Sequence, residues 1–160
     1  MSIDELRTYG VDEMTDDEIR NFLAARRIGV LGLPGETIPY LLPISYGFDG
    51  GDRLYFTYLV GSSSQKKTLS DEAESARFLV FAVDTIYNWE SVLLSGRLRG
   101  VPETEWDDLE DVLTDVWKPE IFESASLSGD VAVYEFRIEG QSGVKHQGLP
   151  PGLDPAAADE

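Results

Sequence analysis

Residues 38–60 read IPYLLPISYGFDGGDRLYFTYLV, two strand-like runs on either side of Asp49-Gly50-Gly51-Asp52. Apolar, β-branched and aromatic residues flanking an Asp/Gly turn are the signature of an antiparallel pair. The short step from Tyr46 to Tyr55 predicts a hairpin of residues 38–48 with 54–60. Pro43 interrupts the first run with a residue that cannot donate to a ladder. That stretch is therefore expected at an edge, at a bulge, or with its backbone turned toward something other than a neighbouring strand; a planar, hydrogen-bonding cofactor fits the description.

Upstream, Pro34-Gly35 separates the first run from another apolar segment, residues 28–33, which reads as a strand. Before it, Thr15-Asp16-Asp17-Glu18 fits a capping box, and Ile19, Phe22 and Leu23 recur at helical spacing, predicting a helix that ends near Arg27. Downstream, a polar, acid-rich stretch to Ser75 reads as a short helix, and residues 78–83 and 92–101 as strands. A second long helix is expected from Pro102, with Trp106, Leu109, Val112, Leu113, Val116 and Trp117 on its apolar face. The last strand, 131–138, points Ala132, Tyr134, Phe136 and Ile138 one way and Glu135 and Arg137 the other. Six strands joined largely by turns predict a mainly β (α+β) fold, an antiparallel barrel with peripheral helices, and argue against a doubly wound parallel sheet. Residues 1–14 are read as an N-terminal extension, 15–147 as the domain, and 148–160, with three of the eight prolines and no packable periodicity, as a disordered tail.

The 160 residues, 42% of them hydrophobic, suffice for one sizeable core and exclude two independent enzyme domains. A formal net charge of -17 repels nucleic acid and anionic membrane surfaces, so neither is expected as a partner. Scattered carboxylates and few lysines read as a salt-adapted, halophilic surface. Cysteine is absent, which removes disulfides, thiolate catalysis and Cys-based zinc sites; no metal site is expected. Asp4 and Glu5 stand where a signal peptide would be basic and then apolar, so a cytoplasmic location is expected.

Ser62-Ser63-Ser64-Gln65-Lys66-Lys67 carries half of the four lysines directly after a serine cluster. A small-residue turn entering a helix, with hydroxyls and an ammonium, suits a phosphate; a polar loop merely solvated by its lysines is the competing reading. The Ser-x-x-Lys spacing in this stretch lacks the companion elements of penicillin-recognising acyltransferases and is set aside. His146, the single histidine, reads as a loop residue without the carboxylate that a hydrolase triad would need. The acidic residues between 103 and 111 read as one solvated helix face, and Gly29, Gly32 and Gly35 do not make a dinucleotide fingerprint. Tyr40, Tyr46, Tyr55, Phe56, Tyr58, Tyr87 and Trp89 concentrate on or beside the central strands, where core packing is the ordinary reading.

Taken in order, Glu18-Ile19 with Phe22-Leu23, Ile28-Gly29-Val30-Leu31, Pro43-Ile44-Ser45-Tyr46, Leu54-Tyr55-Phe56, the 61–67 loop, Phe78-Leu79-Val80 and Trp89-Glu90-Ser91-Val92 with Gly96 resemble a known family. The chain is similar over residues 15–145 to the pyridoxamine 5'-phosphate oxidase-related flavoproteins, and within them to the nitroimidazole-reductase-like branch. The resemblance implies a six-stranded split β-barrel, a homodimer, and FMN bound in two equivalent sites at the dimer interface. It implies that the backbone at Pro43, Ile44, Ser45 and Tyr46 lies along the isoalloxazine ring and that Thr57 and Tyr58 lie beneath the ribityl chain. Ser62, Ser64, Lys66 and Lys67 would hold the phosphate, and Trp89, Ser91 and Val92 would line the site across the interface. Gln65-Lys66 stands where the family often has Arg-Lys or Gly-x-Lys, and Gly143-Val144-Lys145 where it usually has Gly-Arg.

The expected function is an FMN-dependent oxidoreductase that passes electrons from NADH or NADPH to a small-molecule acceptor, with the flavin carrying the redox chemistry. No side chain is nominated as catalytic. Vitamin B6 oxidation is not expected, because the Trp and Arg-x-x-Pro-type C-terminal segment of true pyridoxamine phosphate oxidases is missing. The alternatives are a non-catalytic flavin carrier, a haem-binding split barrel with His146 as ligand, and a deazaflavin-binding member of the same superfamily.

Overall fold

The structure, a computed structural model, describes residues 2–59, 65–114 and 131–148. Helix α1 (Ile3–Arg7) leads into a short strand β1 (Val11–Glu13) and then α2 (Asp16–Ala25). The expected capping box is present: Glu18 N donates to Thr15 Oγ1 and Thr15 N donates to the Glu18 carboxylate, each at 3.2 Å. The face carrying Ile19, Phe22 and Leu23 is buried.

Strands β2 (Ile28–Leu33), β3 (Tyr40–Ser45), β4 (Gly47–Phe48) and β5 (Arg53–Leu59) precede helix α3 (Gln65–Glu72). Strands β6 (Ala76–Thr85) and β7 (Asn88–Val101), a 3-10 helix (Glu103–Leu109), helix α4 (Glu110–Thr114) and strand β8 (Val131–Gln147) follow. All pairings are antiparallel, in the order β3-β2-β6-β7-β8-β5-β4, with β1 added on β8. The two ends of this order, β3 and β4, are separated in the chain only by Tyr46. One continuous stretch thus forms both edges of the sheet, which curls into the expected barrel.

Among the described residues the strand count is eight and not six, for two reasons. β1 is a further strand, and the expected 38–48 strand divides at Tyr46. Around the turn, Asp49 Oδ1 accepts from Gly51 N at 2.8 Å and Arg53 N at 3.2 Å, and Gly50 takes φ +86. The resulting hairpin pairs only Gly47 with Tyr55 and Phe48 with Leu54. At Tyr46 the chain is pulled away by α2 and the segment after it: its N–H donates to Arg27 O at 2.9 Å and its hydroxyl to Leu23 O at 2.7 Å. Tyr40–Ser45 then pairs with β2.

Alternate residues of each strand fill the barrel. Leu31, Leu33, Leu54, Phe56, Tyr58, Phe78, Val80, Val92, Leu94, Tyr134 and Phe136 are buried in one cluster with α2. A smaller cluster outside the barrel joins Tyr55, Val101, Leu113 and Val133 to Trp106, Leu109 and Val112. Glu135 points to the face opposite Tyr134 and Phe136, as expected, and is buried beneath this second layer, where it accepts from Tyr55 Oη at 3.3 Å and Arg99 Nη2 at 3.1 Å.

The expected long helix from Pro102 begins as a 3-10 helix and becomes α-helical only at Glu110. Glu103, Trp106 and Leu109 are spaced by three, the period of the tighter helix, and Trp106 Nε1 donates back to Val101 O at 3.0 Å. Val116 and Trp117 of its expected apolar face, and the expected disordered tail at 149–160, lie outside the described residues.

β8 continues well past residue 138. His146 is accordingly a buried strand residue paired with Val11 and Trp89, and not a loop residue. Among the described residues no helix is long and apolar enough to cross a membrane.

Candidate functional site

The barrel is split between β3 and β5. Among the described residues β3 pairs only with β2, and β5 beyond Tyr55 only with β8, so residues 43–45 and 57–59 form the two lips of the opening. Pro43 is exposed on one lip; Ser45 is half-buried beside it, and Tyr46 turns its ring inward against Phe78, 5.4 Å between centroids. Burial raises the pKa of the Tyr46 phenol, so this side chain acts as a neutral structural donor. On the other lip, Thr57 Oγ1 is buried with no hydrogen-bond partner among the described residues. It lies on the face of β5 that carries Tyr55, opposite Val133, and a buried hydroxyl in that condition is costly.

Helix α3 is tied to the barrel mouth just after the serine-lysine loop. Tyr58 Oη lies 3.0 Å from Ser70 Oγ, and the Tyr58 and Tyr134 rings pack at 4.7 Å. Tyr134 Oη donates to Asp71, whose other oxygen takes Lys67 Nζ at 2.6 Å. Burial pushes the Tyr58 phenol up to about 12, and burial with the Asp71 charge raises Tyr134 too. Burial alone would raise Asp71, but the bonds from Lys67 and Tyr134 outweigh it and hold the carboxyl below its ordinary value. Lys67 is therefore paired one helical turn along its own helix. Lys66 lies in the first turn of α3, while Ser62 and Ser64 fall outside the described residues. Asp71 went unnoticed in the sequence, although its i,i+4 spacing from Lys67 was the signal that could have found it.

The remaining expected residues lie elsewhere. Val92 is fully buried in the core. Trp89 and Ser91 belong to the opposite face of β7, outside the barrel, with Ser91 opposite Phe81 and Trp89 opposite Val83. β2 and β6 intervene between them and β3. The split and the Trp89–Ser91 segment are thus not brought together within one chain. Around them the outer face is apolar and open: Phe81 and Val83 are 54% and 59% exposed.

The family model for pyridoxamine 5'-phosphate oxidase matches residues 15–145, from the α2 cap to the end of β8. The chain belongs to the pyridoxamine 5'-phosphate oxidase family. Solved structures of similar fold include a FAD-binding protein from Mesorhizobium loti, with TM-score 0.68 and 18% identity over 86% of this chain and 98% of that one. A putative 5-nitroimidazole antibiotic resistance protein from Bacteroides thetaiotaomicron gives 0.65 and 16% over 84% and 87%. A FAD and haem binding protein from Mycobacterium smegmatis gives 0.70 and 17% over 94% and 80%. No curated protein matches the sequence.

Within this split-barrel family member, His146 is poorly disposed as a haem ligand. Its Nε2 lies 2.8 Å from Tyr9 O, its Nδ1 is buried with no partner among the described residues, and the rings of Tyr87 and Trp89 lie 6.2 and 6.1 Å away. It fastens the α1–β1 turn to β8.

Proposed function

We propose that this chain is an FMN-binding oxidoreductase that works as a homodimer, each flavin lying in the split of one protomer and covered by Trp89 and Ser91 of the other. The observation that carries this reading is the open split itself, with Pro43 to Tyr46 on one lip and Thr57 and Tyr58 on the other. The exposed apolar face around Phe81 and Val83 supports dimerisation, because association would remove it from water. FMN is favoured over FAD because the sequence carries one serine-lysine stretch, Ser62 to Lys67, suited to a single phosphate.

When bound, the flavin would supply hydride acceptance and return; the chain's own residues bind, orient and shield. Pro43 offers a flat apolar surface and no competing ladder donor. Lys66 would offset the phosphate charge, with the Ser62 and Ser64 hydroxyls and the Asp71-paired Lys67 as further donors, while Ser45 and Ser91 would offer hydroxyls to polar ring edges. NADH or NADPH is the proposed donor and a small molecule the acceptor. The chain's negative charge predicts weak nicotinamide binding that improves as salt screens the repulsion.

The test is anaerobic reduction of the FMN-loaded protein. Bleaching by NADH or NADPH followed by recolouring with a quinone or nitroaromatic supports the oxidoreductase. Bleaching by dithionite alone would assign a flavin carrier instead.

A further inference from the structure

A cleft of about 530 Å³ opens on the outside of the barrel at the β2–β3 turn, lined by Leu33, Pro34, Pro39 and Leu41 and by Arg77, Ser95 and Arg97 among others. Its floor follows from the strand register. Leu41 is opposite Gly32, Gly32 opposite Arg77, and Arg77 opposite Ser95, so one row crosses four strands. Gly32 leaves the middle of this row empty: a Cβ there would already stand 3.4 Å from Leu41 Cδ2 and 3.6 Å from Arg77 O. The trough therefore exists because a side chain is missing from an otherwise regular sheet face.

Its charge is unusual for this chain. With 13 basic against 30 acidic residues, two arginines line one cleft. Arg97 Nε is held by Glu139 at 2.7 Å, whereas Arg77 makes no ion pair among the described residues. The three charges sum to one net positive charge beside apolar walls of leucine and proline. A guanidinium at one end of an apolar trough suits a planar carboxylate, which it can meet with two parallel hydrogen bonds. One net charge matches a monoanion. A phosphate dianion would leave a negative charge uncompensated in an already acidic protein.

We infer that this cleft binds an aromatic monocarboxylate, its ring against Pro34, Pro39 and Leu41 and its carboxylate on Arg77. The assignment is of a binding site only and stands apart from the flavin reaction proposed above.

Amide chemical shifts of the purified full chain, titrated with 4-nitrobenzoate, test it directly. Saturable shifts at Gly32, Ala76, Ser95 and Gly96 are expected. Arg77→Ala should weaken the affinity about tenfold or more, and neutral 4-nitrobenzamide should bind the native chain more weakly by a similar factor. Gly32→Val keeps both arginines and fills the trough, so it should abolish binding; Arg20→Ala, on an exposed face of α2, should not alter it. Shifts that do not saturate, or that survive Gly32→Val, would overturn the proposal by reducing it to surface ion pairing. The flavin reading fails separately: a chain that takes up no FMN yet binds 4-nitrobenzoate in the trough keeps the site, and a flavin-loaded chain whose trough does not respond loses it.

Discussion

Tyr58 Oη and Ser70 Oγ meet at 3.0 Å inside the barrel mouth, joining the strand before the serine-lysine loop to the helix after it. Strand β5 and helix α3 are thereby tied to each other. Tyr58→Phe and Ser70→Ala should each cost about 0.5–1.5 kcal/mol of stability. The double variant should cost less than the sum, because both remove one contact. Urea denaturation of the four proteins measures the coupling, and strictly additive losses would show that the contact holds nothing.

Lys66→Ala should weaken FMN binding roughly ten- to hundredfold, the worth of about 1.5–3 kcal/mol for a charge-assisted contact. Lys67→Ala should do less, since Asp71 already takes its ammonium at 2.6 Å. Lys118→Ala serves as the control for net charge. Fluorescence titration with FMN ranks the three, and equal affinities would remove the phosphate from this loop.

Asp71 gives a pH test with a definite sign. Its folded pKa lies below the ordinary aspartate value, so its stabilising contribution is fully present above that value and is lost as the pH falls through the depressed folded pKa. Asp71→Asn should therefore melt below the native chain at pH 7. The gap should close progressively under acid, below about pH 4. A melting-temperature gap that stays constant across this range would contradict the pairing with Lys67 and Tyr134.

Gly96 lies at the β7–β8 irregularity, where an added Cβ would fall 2.1 Å from Arg137 O and 2.9 Å from the Phe136 ring. Backbone cannot yield as a side chain can, so Gly96→Ala should cost about 1–3 kcal/mol or more. Gly100→Ala, whose Cβ would find only Tyr134 Cε1 at 3.9 Å, should be far milder. Comparable denaturation midpoints for the two would contradict the packing at the bulge.

Local signals were legible where one segment decides its own structure. The α2 cap rests on Thr15 and Glu18 alone, and β2 on an unbroken apolar run between turns. Pro43 correctly announced a backbone with an open side. What escaped depends on distant partners. Gly140 to Gly143 break the alternation of β8, yet the strand continues because Gly143 makes room for Met14 and Ile19, whose atoms would lie 2.8–3.0 Å from a Cβ there. β1 has three residues and gains its partner only from the far end of the chain. The site divides similarly: residues 43–46 and 57 meet at the split, while Trp89 and Ser91 stand strands away, a separation that no local pattern encodes.

The central claim is that the split holds FMN, and the direct measurement is titration of the purified chain with FMN, followed by absorbance and sedimentation. Bound oxidised flavin should show bands near roughly 375 and 450 nm. Saturation at one FMN per chain is predicted, with the flavin travelling with a dimer at high salt and Trp89→Ala weakening its retention. A chain that takes up no FMN, or that holds it tightly as a folded monomer, would contradict the account.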